Sequence, residues 1–153
     1  NLRKELGMEE LDIESLKPIP ETLLEKRIIM RLTEEAVFAS VARHAGTVRN
    51  LYGESVGRKS VAEGKDLTEV KYIIGTGGAL TRLPGMKEVL LAIHLQSRGQ
   101  RLYPKKEAGV LMDEDYLLAS LGVLSLEYKE AALKIMLKSL RMELEEFTHV
   151  SMH

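Results

Sequence analysis

The sequence predicts an α/β chain, a short sheet flanked by helices, on three observations. An apolar, β-branched run, Val70 to Ile74, passes straight into a glycine turn, Gly75-Thr76-Gly77-Gly78, and then into an apolar helical stretch. That order, strand, turn and helix, is the signature of a buried parallel strand. Upstream, Leu24, Ile28, Leu32, Ala36 and Ala39 return at spacings of three to four, which is helical periodicity. Downstream, two further stretches carry helical stripes, one with Leu117, Leu118, Leu121 and Val123, the other with Leu133, Met136, Leu137 and Leu140.

In chain order, Leu2–Leu16 is polar and charged and runs into Pro18 and Pro20, so residues 1–19 read as an irregular lead-in. Pro20 suits the first turn of a helix, where its missing N–H costs nothing. The helix extends from Glu21 to about His44, with Gly46 placed to end it as a C-cap. Thr47–Tyr52 and Arg58–Ala62, separated by Gly53 and Gly57, predict a short hairpin. After the Val70–Ile74 strand and its turn, Met86–Leu95 is helical, with Met86, Val89, Leu90 and Ile93 on one face. Gly99–Ala108 is a basic connecting segment. Asp113 can cap the helix that follows it, and Ser125 the last one. The body of the chain is therefore 20–143, and the tail, 144–153, is expected to fray.

Composition narrows the function classes. The 153 residues, 44% of them hydrophobic, suffice for one compact unit rather than two. A formal net charge of −1 argues against nucleic-acid binding through bulk electrostatics. The absence of cysteine excludes a disulfide framework, thiolate zinc sites and cysteine nucleophiles, and makes a cytoplasmic location the expectation. No apolar run approaches the roughly 20 residues needed to span a bilayer. The charged start, Asn1 to Leu11, is not a signal peptide. Because the chain starts at Asn1 rather than a methionine, a fragment or a processed product is expected.

The most informative segment is Val70–Leu90. Glycines let backbone approach a ligand and reach positive φ, and N–H groups bared at such a turn favour an anion or a sugar hydroxyl. The spacing is not that of a phosphate loop ending in Gly-Lys-Ser/Thr. Nor is it the dinucleotide pattern, because Leu80 stands where the third glycine belongs. On residue chemistry alone, a ligand-binding turn and a tight strand-to-helix turn without ligand are equally good descriptions.

Gly77-Gly78 after a buried strand, followed by Arg82-Leu83-Pro84 and an apolar helix, resembles the adenosine motif of actin-like ATPases. The resemblance implies an adenine-nucleotide site at Gly75, Thr76, Gly77 and Gly78, with Arg82 near the adenine. Leu111–Ser125 is similar to the connecting helix of that superfamily, which implies a hinge at the small residues Ala119, Ser120 and Gly122. Read without the resemblance, the same stretch is an ordinary helix with small residues for close packing.

Four runs together resemble one family within that superfamily: ARHAGT (42–47), GKDLTEVKYIIGTGGALT (64–81), LYPKKEAGVLMDEDYLLASLGVLS (102–125) and AALKIMLKSL (131–140). They are similar to the MutL or GlmL accessory proteins of adenosylcobalamin-dependent glutamate mutase and related aminomutases. What the resemblance implies is a piece of the second, C-terminal lobe of an actin-like (ribonuclease H-like) ATPase. The longer protein would bind ATP or ADP with Mg, partner the subunits of a cobalamin-dependent mutase, and reactivate it. No Asp-x-Gly-x-Thr phosphate loop occurs in the 153 residues. The chain by itself is therefore expected to hold nucleotide weakly and to be inactive as an ATPase, with no catalytic or metal-binding residue assigned. Two rivals stay open: a small-molecule kinase of the same fold, and a non-catalytic partner-binding module with a vestigial nucleotide site.

The other candidates have plain explanations. His44, His94, His149 and His153 are scattered; His44, at a helix C-terminus, suits the helix dipole, while His149 and His153 belong to the tail. Asp113, Glu114 and Asp115 read as a helix cap rather than a cation site. Arg98, Arg101, Lys105 and Lys106 form a solvated basic loop, and Met136 and Met142 fill core or helix surface.

Overall fold

In the computed structural model the described residues are 17, 19–53, 57–97 and 99–142; the expected fraying tail, His149, His153 and Arg98 lie outside them. The first helix, α1, spans Leu23–His44. It starts at a capping box and not at Pro20: Thr22 Oγ1 accepts the Glu25 N–H at 3.1 Å, and the Glu25 carboxylate accepts the Thr22 N–H at 2.8 Å. These backbone donors, Thr22 first and Glu21 second, hold the Glu25 carboxyl below its usual range.

Gly46 is not the C-cap. Ala45 leaves the helix in an extended conformation, and the Gly46 N–H donates to the Lys65 carbonyl at 2.7 Å. A Cβ at Gly46 would sit 2.5 Å from the Glu63 oxygen, so its glycine serves a close backbone crossing. The apolar stripe also differs from expectation. Ile28 is buried, but Leu24, Ala36 and Ala39 are exposed, and Val37, Phe38, Val41 and Ala42 make the core contact instead. Their i, i+1, i+4, i+5 spacing is equally helical, and Val37, Phe38 and Val41 bury more apolar area than Ala36 and Ala39 could.

The hairpin forms as predicted. β1 (Thr47–Gly53) and β2 (Gly57–Glu63) pair antiparallel, from Thr47 opposite Glu63 to Gly53 opposite Gly57. Described side chains on β2 are exposed, so the hairpin adds little to the core.

β3 (Tyr72–Gly75) pairs in parallel with β4 (Gly109–Met112), Tyr72 opposite Gly109 and Gly75 opposite Met112. A parallel pair needs a long crossover. Here it comprises α2 (Gly78–Arg82), α3 (Met86–Leu91), a 3-10 turn (Ala92–Gln96) and the basic segment. β4 is an addition to the sequence-based expectation, which left 109–112 between a loop and a helix cap. Two short helices follow, α4 (Leu118–Leu124) and α5 (Lys129–Ser139).

Strand alternation divides the apolar residues between two cores. Ile73, Val110 and Met112 join Leu90, Ile93 and Tyr103 under α1 and α3, while Tyr72 and Leu111 join Leu137, Leu140 and Met142 under α5. The pair thus packs on both faces, but the strand expected to be buried is only partly so: Ile74, on the Tyr72 and Leu111 face, is 44% exposed. The α5 stripe is as expected, and Met142 and Met136 pack into that core. Two details of α4 and α5 depart. Val123 points outward at 71% exposure, and Ser125 does not cap α5; its hydroxyl donates to the Gly122 carbonyl at 2.7 Å, and the cap position belongs to Tyr128. Among the described residues no helix is long and apolar enough to cross a membrane.

Candidate functional site

Because β3 and β4 are parallel and in register at Gly75 and Met112, their carboxyl ends coincide. Two loops leave from that edge, the glycine turn and Asp113–Leu117. Ligands of open α/β sheets sit beyond the carboxyl ends of the strands. The Asp113 N–H extends the ladder by donating to the Gly75 carbonyl at 2.9 Å. The Asp113 carboxylate then accepts from Thr76 Oγ1 at 2.9 Å and from the Leu117 N–H at 3.0 Å. At 2% exposure it is the buried charged side chain among the described residues, and a buried carboxylate persists only when bonded in this way. Asp113 is therefore not the N-cap that the sequence suggested: the cap position of α4 is Leu117, with no side-chain cap bond, and Asp113, four residues earlier, instead braces the loop before it and ties the two loops together. Its neighbours face outward: Glu114 pairs with Arg141 at 2.6 Å, and Asp115 accepts from Ser139 at 3.0 Å. The described residues contain no group of three His, Cys, Asp or Glu side chains suited to a metal ion.

The glycines of the turn have different jobs. Gly77 has φ 93° and ψ 153°, a region closed to residues with a Cβ, although a Cβ there would meet nothing within 4 Å. Its need is conformational. Gly75 is the reverse case: a Cβ would lie 2.6 Å from Leu90 Cδ1 and 3.0 Å from Met112 Sδ, so the need is for close approach. Gly78 opens α2, and its Cβ would meet only the Tyr116 hydroxyl, at 3.9 Å.

Tyr116 faces this turn from the second loop. It holds φ at 56°, in the left-handed region that a bulky residue rarely adopts. Its hydroxyl shares a 2.6 Å hydrogen bond with Thr81 Oγ1 and accepts from Arg82 Nε at 3.1 Å. The Arg82 guanidinium carbon lies 5.0 Å from the centre of the ring, a cation–π contact. Thr81 is the largest cause holding the Tyr116 phenol below the usual tyrosine range, and Arg82 adds a hydrogen bond and its charge.

Two hollows flank the turn. One, of about 350 Å³, is lined by Gly78, Ala79, Arg82, Leu83 and Tyr116, with Ile19, Pro20 and Ile29 opposite. The other, a groove of about 510 Å³, runs along Thr76–Leu80 and under Val37 and Val41 of α1. Of the sequence-predicted residues, Gly78 and Arg82 meet in the first hollow. Thr76, Gly77 and Gly78 line the second, and Gly75 is buried and lines neither. The hinge candidates Ala119, Ser120 and Gly122 stand exposed on α4, apart from the turn. Sequence reasoning overlooked Tyr116 and Thr81. The signal for Tyr116 was an aromatic residue closing an acidic turn at the end of an apolar tetrapeptide. Of the other candidates, His44 Nε2 lies 3.0 Å from Lys65 Nζ, His94 Nδ1 lies 2.8 Å from the Leu91 carbonyl, and Lys105 pairs with Glu69 at 2.6 Å.

Fold and site define an α/β chain that presents a glycine turn and a buried aspartate at the carboxyl edge of a parallel strand pair. Residues 5–140 match the family described as MutL protein. The chain is 29% identical over 127 residues to a protein named Protein MutL from Clostridium tetanomorphum, an alignment covering 83% of this chain and 27% of that relative. The chain belongs to the MutL protein family and spans about a quarter of that relative's length. No solved structure matches it.

Proposed function

We propose that this chain is the nucleotide-binding part of an accessory protein that keeps an adenosylcobalamin-dependent mutase, such as glutamate mutase, active by ATP-driven remodelling. The lobe is actin-like. The observation that carries the nucleotide site is the junction at the carboxyl edge, where Asp113 clamps Thr76 of the glycine turn to the second loop. A turn fixed in this way, with Gly77 in a conformation only glycine adopts, presents bare backbone beside an apolar hollow of about 350 Å³. That hollow suits an adenosine, with Gly78 and Ala79 against the sugar and Arg82 at the base. Family membership supports the mutase-accessory role. Magnesium accompanies the phosphates of ATP, and its protein ligands belong to other parts of the longer protein. The α4 helix, tied to the turn through Asp113 and Leu117, transmits lobe closure, with Ala119, Ser120 and Gly122 as its hinge.

The test is calorimetric titration of ATP and ADP into the full-length gene product and into its Gly78→Val variant. A valine at 78 extends into the hollow toward Tyr116 without demanding a left-handed backbone. Binding that disappears in the variant supports the site. A full-length protein that binds neither nucleotide would leave a partner-holding module in its place.

A further inference from the structure

We infer that Tyr116 is a base-selecting residue of this site: its ring is the stacking wall for a planar heteroaromatic base, and Arg82, released from that ring, reads the base's polar edge. The inference rests on the nucleotide proposal above and assigns a role to a residue outside the glycine turn. Three observations carry it. Tyr116 is held at φ 56°, where an aromatic side chain is strained, and such strain persists only where the surroundings impose it, commonly at ligand sites. The loop so bent carries the ring across to the other loop, where its hydroxyl meets Thr81 and Arg82, 35 and 34 residues away in sequence. And Tyr116, a residue 38% exposed overall, lines the hollow together with Gly78, Ala79 and Leu83.

The chemistry of the hollow fits a flat ring better than a phosphate. Its walls, Ile19, Pro20, Ile29 and Leu83, are aliphatic, and its polar groups are one phenol and one guanidinium. The guanidinium now occupies the ring face at 5.0 Å. Arginine's long stem lets it swing aside, so a base takes that face by stacking and the freed N–H donors meet its ring nitrogens. A brace between loops would need the Tyr116 hydroxyl but not a ring at the wall of the hollow.

The experiment compares ATP with inorganic tripolyphosphate on the full-length protein, measured by displacement of a fluorescent ATP analogue. The variants are Tyr116→Asn, which tolerates the left-handed backbone but has no ring, and Tyr116→Phe, which keeps the ring. We expect Tyr116→Asn to weaken ATP on the order of tenfold while tripolyphosphate changes by less than about twofold, and Tyr116→Phe to stay within about threefold of the parent for both. If Tyr116→Asn binds ATP as the parent does, the base-selecting role is overturned and the nucleotide site stands. If it weakens both ligands equally, Tyr116 only supports the loops, and the role is again overturned. If the unmodified protein binds no ATP, the nucleotide proposal itself has failed, and this inference with it.

Discussion

Alanine at Gly75 and alanine at Gly77 are expected to destabilise the chain by similar amounts for unrelated reasons, and one cycle of variants separates them. At Gly75 the added carbon would lie 2.6 Å from Leu90 Cδ1 and 3.0 Å from Met112 Sδ, against the roughly 3.5–4.0 Å at which carbon atoms rest. The Met112 thioether can move. Leu90, 4% exposed in the main core, cannot move without disturbing Ile93 and Tyr103. Overpacking of this kind costs about 1–3 kcal/mol. At Gly77 no atom lies within 4 Å of the new carbon, and the cost, again about 1–3 kcal/mol, comes from φ 93° and ψ 153°. Leu90→Ala alone leaves a cavity costing about 2–5 kcal/mol. Combined with Gly75→Ala it removes the clash, so the double variant should be less destabilised than the sum by about 1 kcal/mol or more. Combined with Gly77→Ala it should simply add. Urea unfolding followed by circular dichroism gives each value. Additivity at the 75–90 pair would refute the close approach of β3 to α3, and coupling at the 77–90 pair would refute the conformational account of Gly77.

Two further outcomes follow from local geometry. Thr22→Ala removes the α1 cap and should cost about 1 kcal/mol. Glu25, its partner, has a carboxyl depressed below the ordinary 4.5, so its contribution is present above that value and is lost as pH falls through the lower folded value; amide protection at the start of α1, relative to the intrinsic exchange rate at each pH, should fall over that acidic window. The Tyr116 phenol, depressed below the ordinary 10.0, should ionise early in an ultraviolet titration, and Thr81→Val and Arg82→Gln should each raise its midpoint. Its sign matches that of Glu25: any stabilisation is present above the unfolded value and is lost as pH falls through the folded one.

What the sequence disclosed depended on whether the deciding interaction was local. The span of α1, the hairpin and the strand–turn–helix order at 70–90 are written in spacings of two to four residues and in glycine positions, and they are all present. β4 escaped because four residues carry too little period, and because its partner, β3, lies more than thirty residues upstream. The face of α1 escaped because alanines fit the helical period as well as Val37 and Val41 do, and only the core decides among them. At the site, Gly77, Gly78 and Arg82 were legible through a motif. Asp113 was legible only in its local role, the bond to Leu117, and not in its bond to Thr76, 37 residues away. Tyr116 and Thr81 meet only because the parallel pair brings two loops to one edge.

That same edge implies a coupling that can be measured. The glycine turn is linked to the start of α4 through a buried group: Thr76 Oγ1 and the Leu117 N–H both bond to the Asp113 carboxylate, and Leu118 begins the helix that holds Ala119, Ser120 and Gly122. Any rearrangement of the turn on ligand binding must either carry α4 with it or break a hydrogen bond to a carboxylate that is 2% exposed. Leaving one of its oxygens without a partner costs about 1–3 kcal/mol, so moving together is the cheaper course. If the proposed nucleotide site is correct, ATP should slow amide exchange along α4 as well as at the turn in the full-length protein. Thr76→Val breaks the tie but leaves Asp113 its bond to Leu117. It should keep the slowing at the turn and lose it along α4. Slowing along α4 that survives Thr76→Val would mean that the two elements communicate by another route. Slowing confined to the turn in the unmodified protein would remove α4 as the hinge.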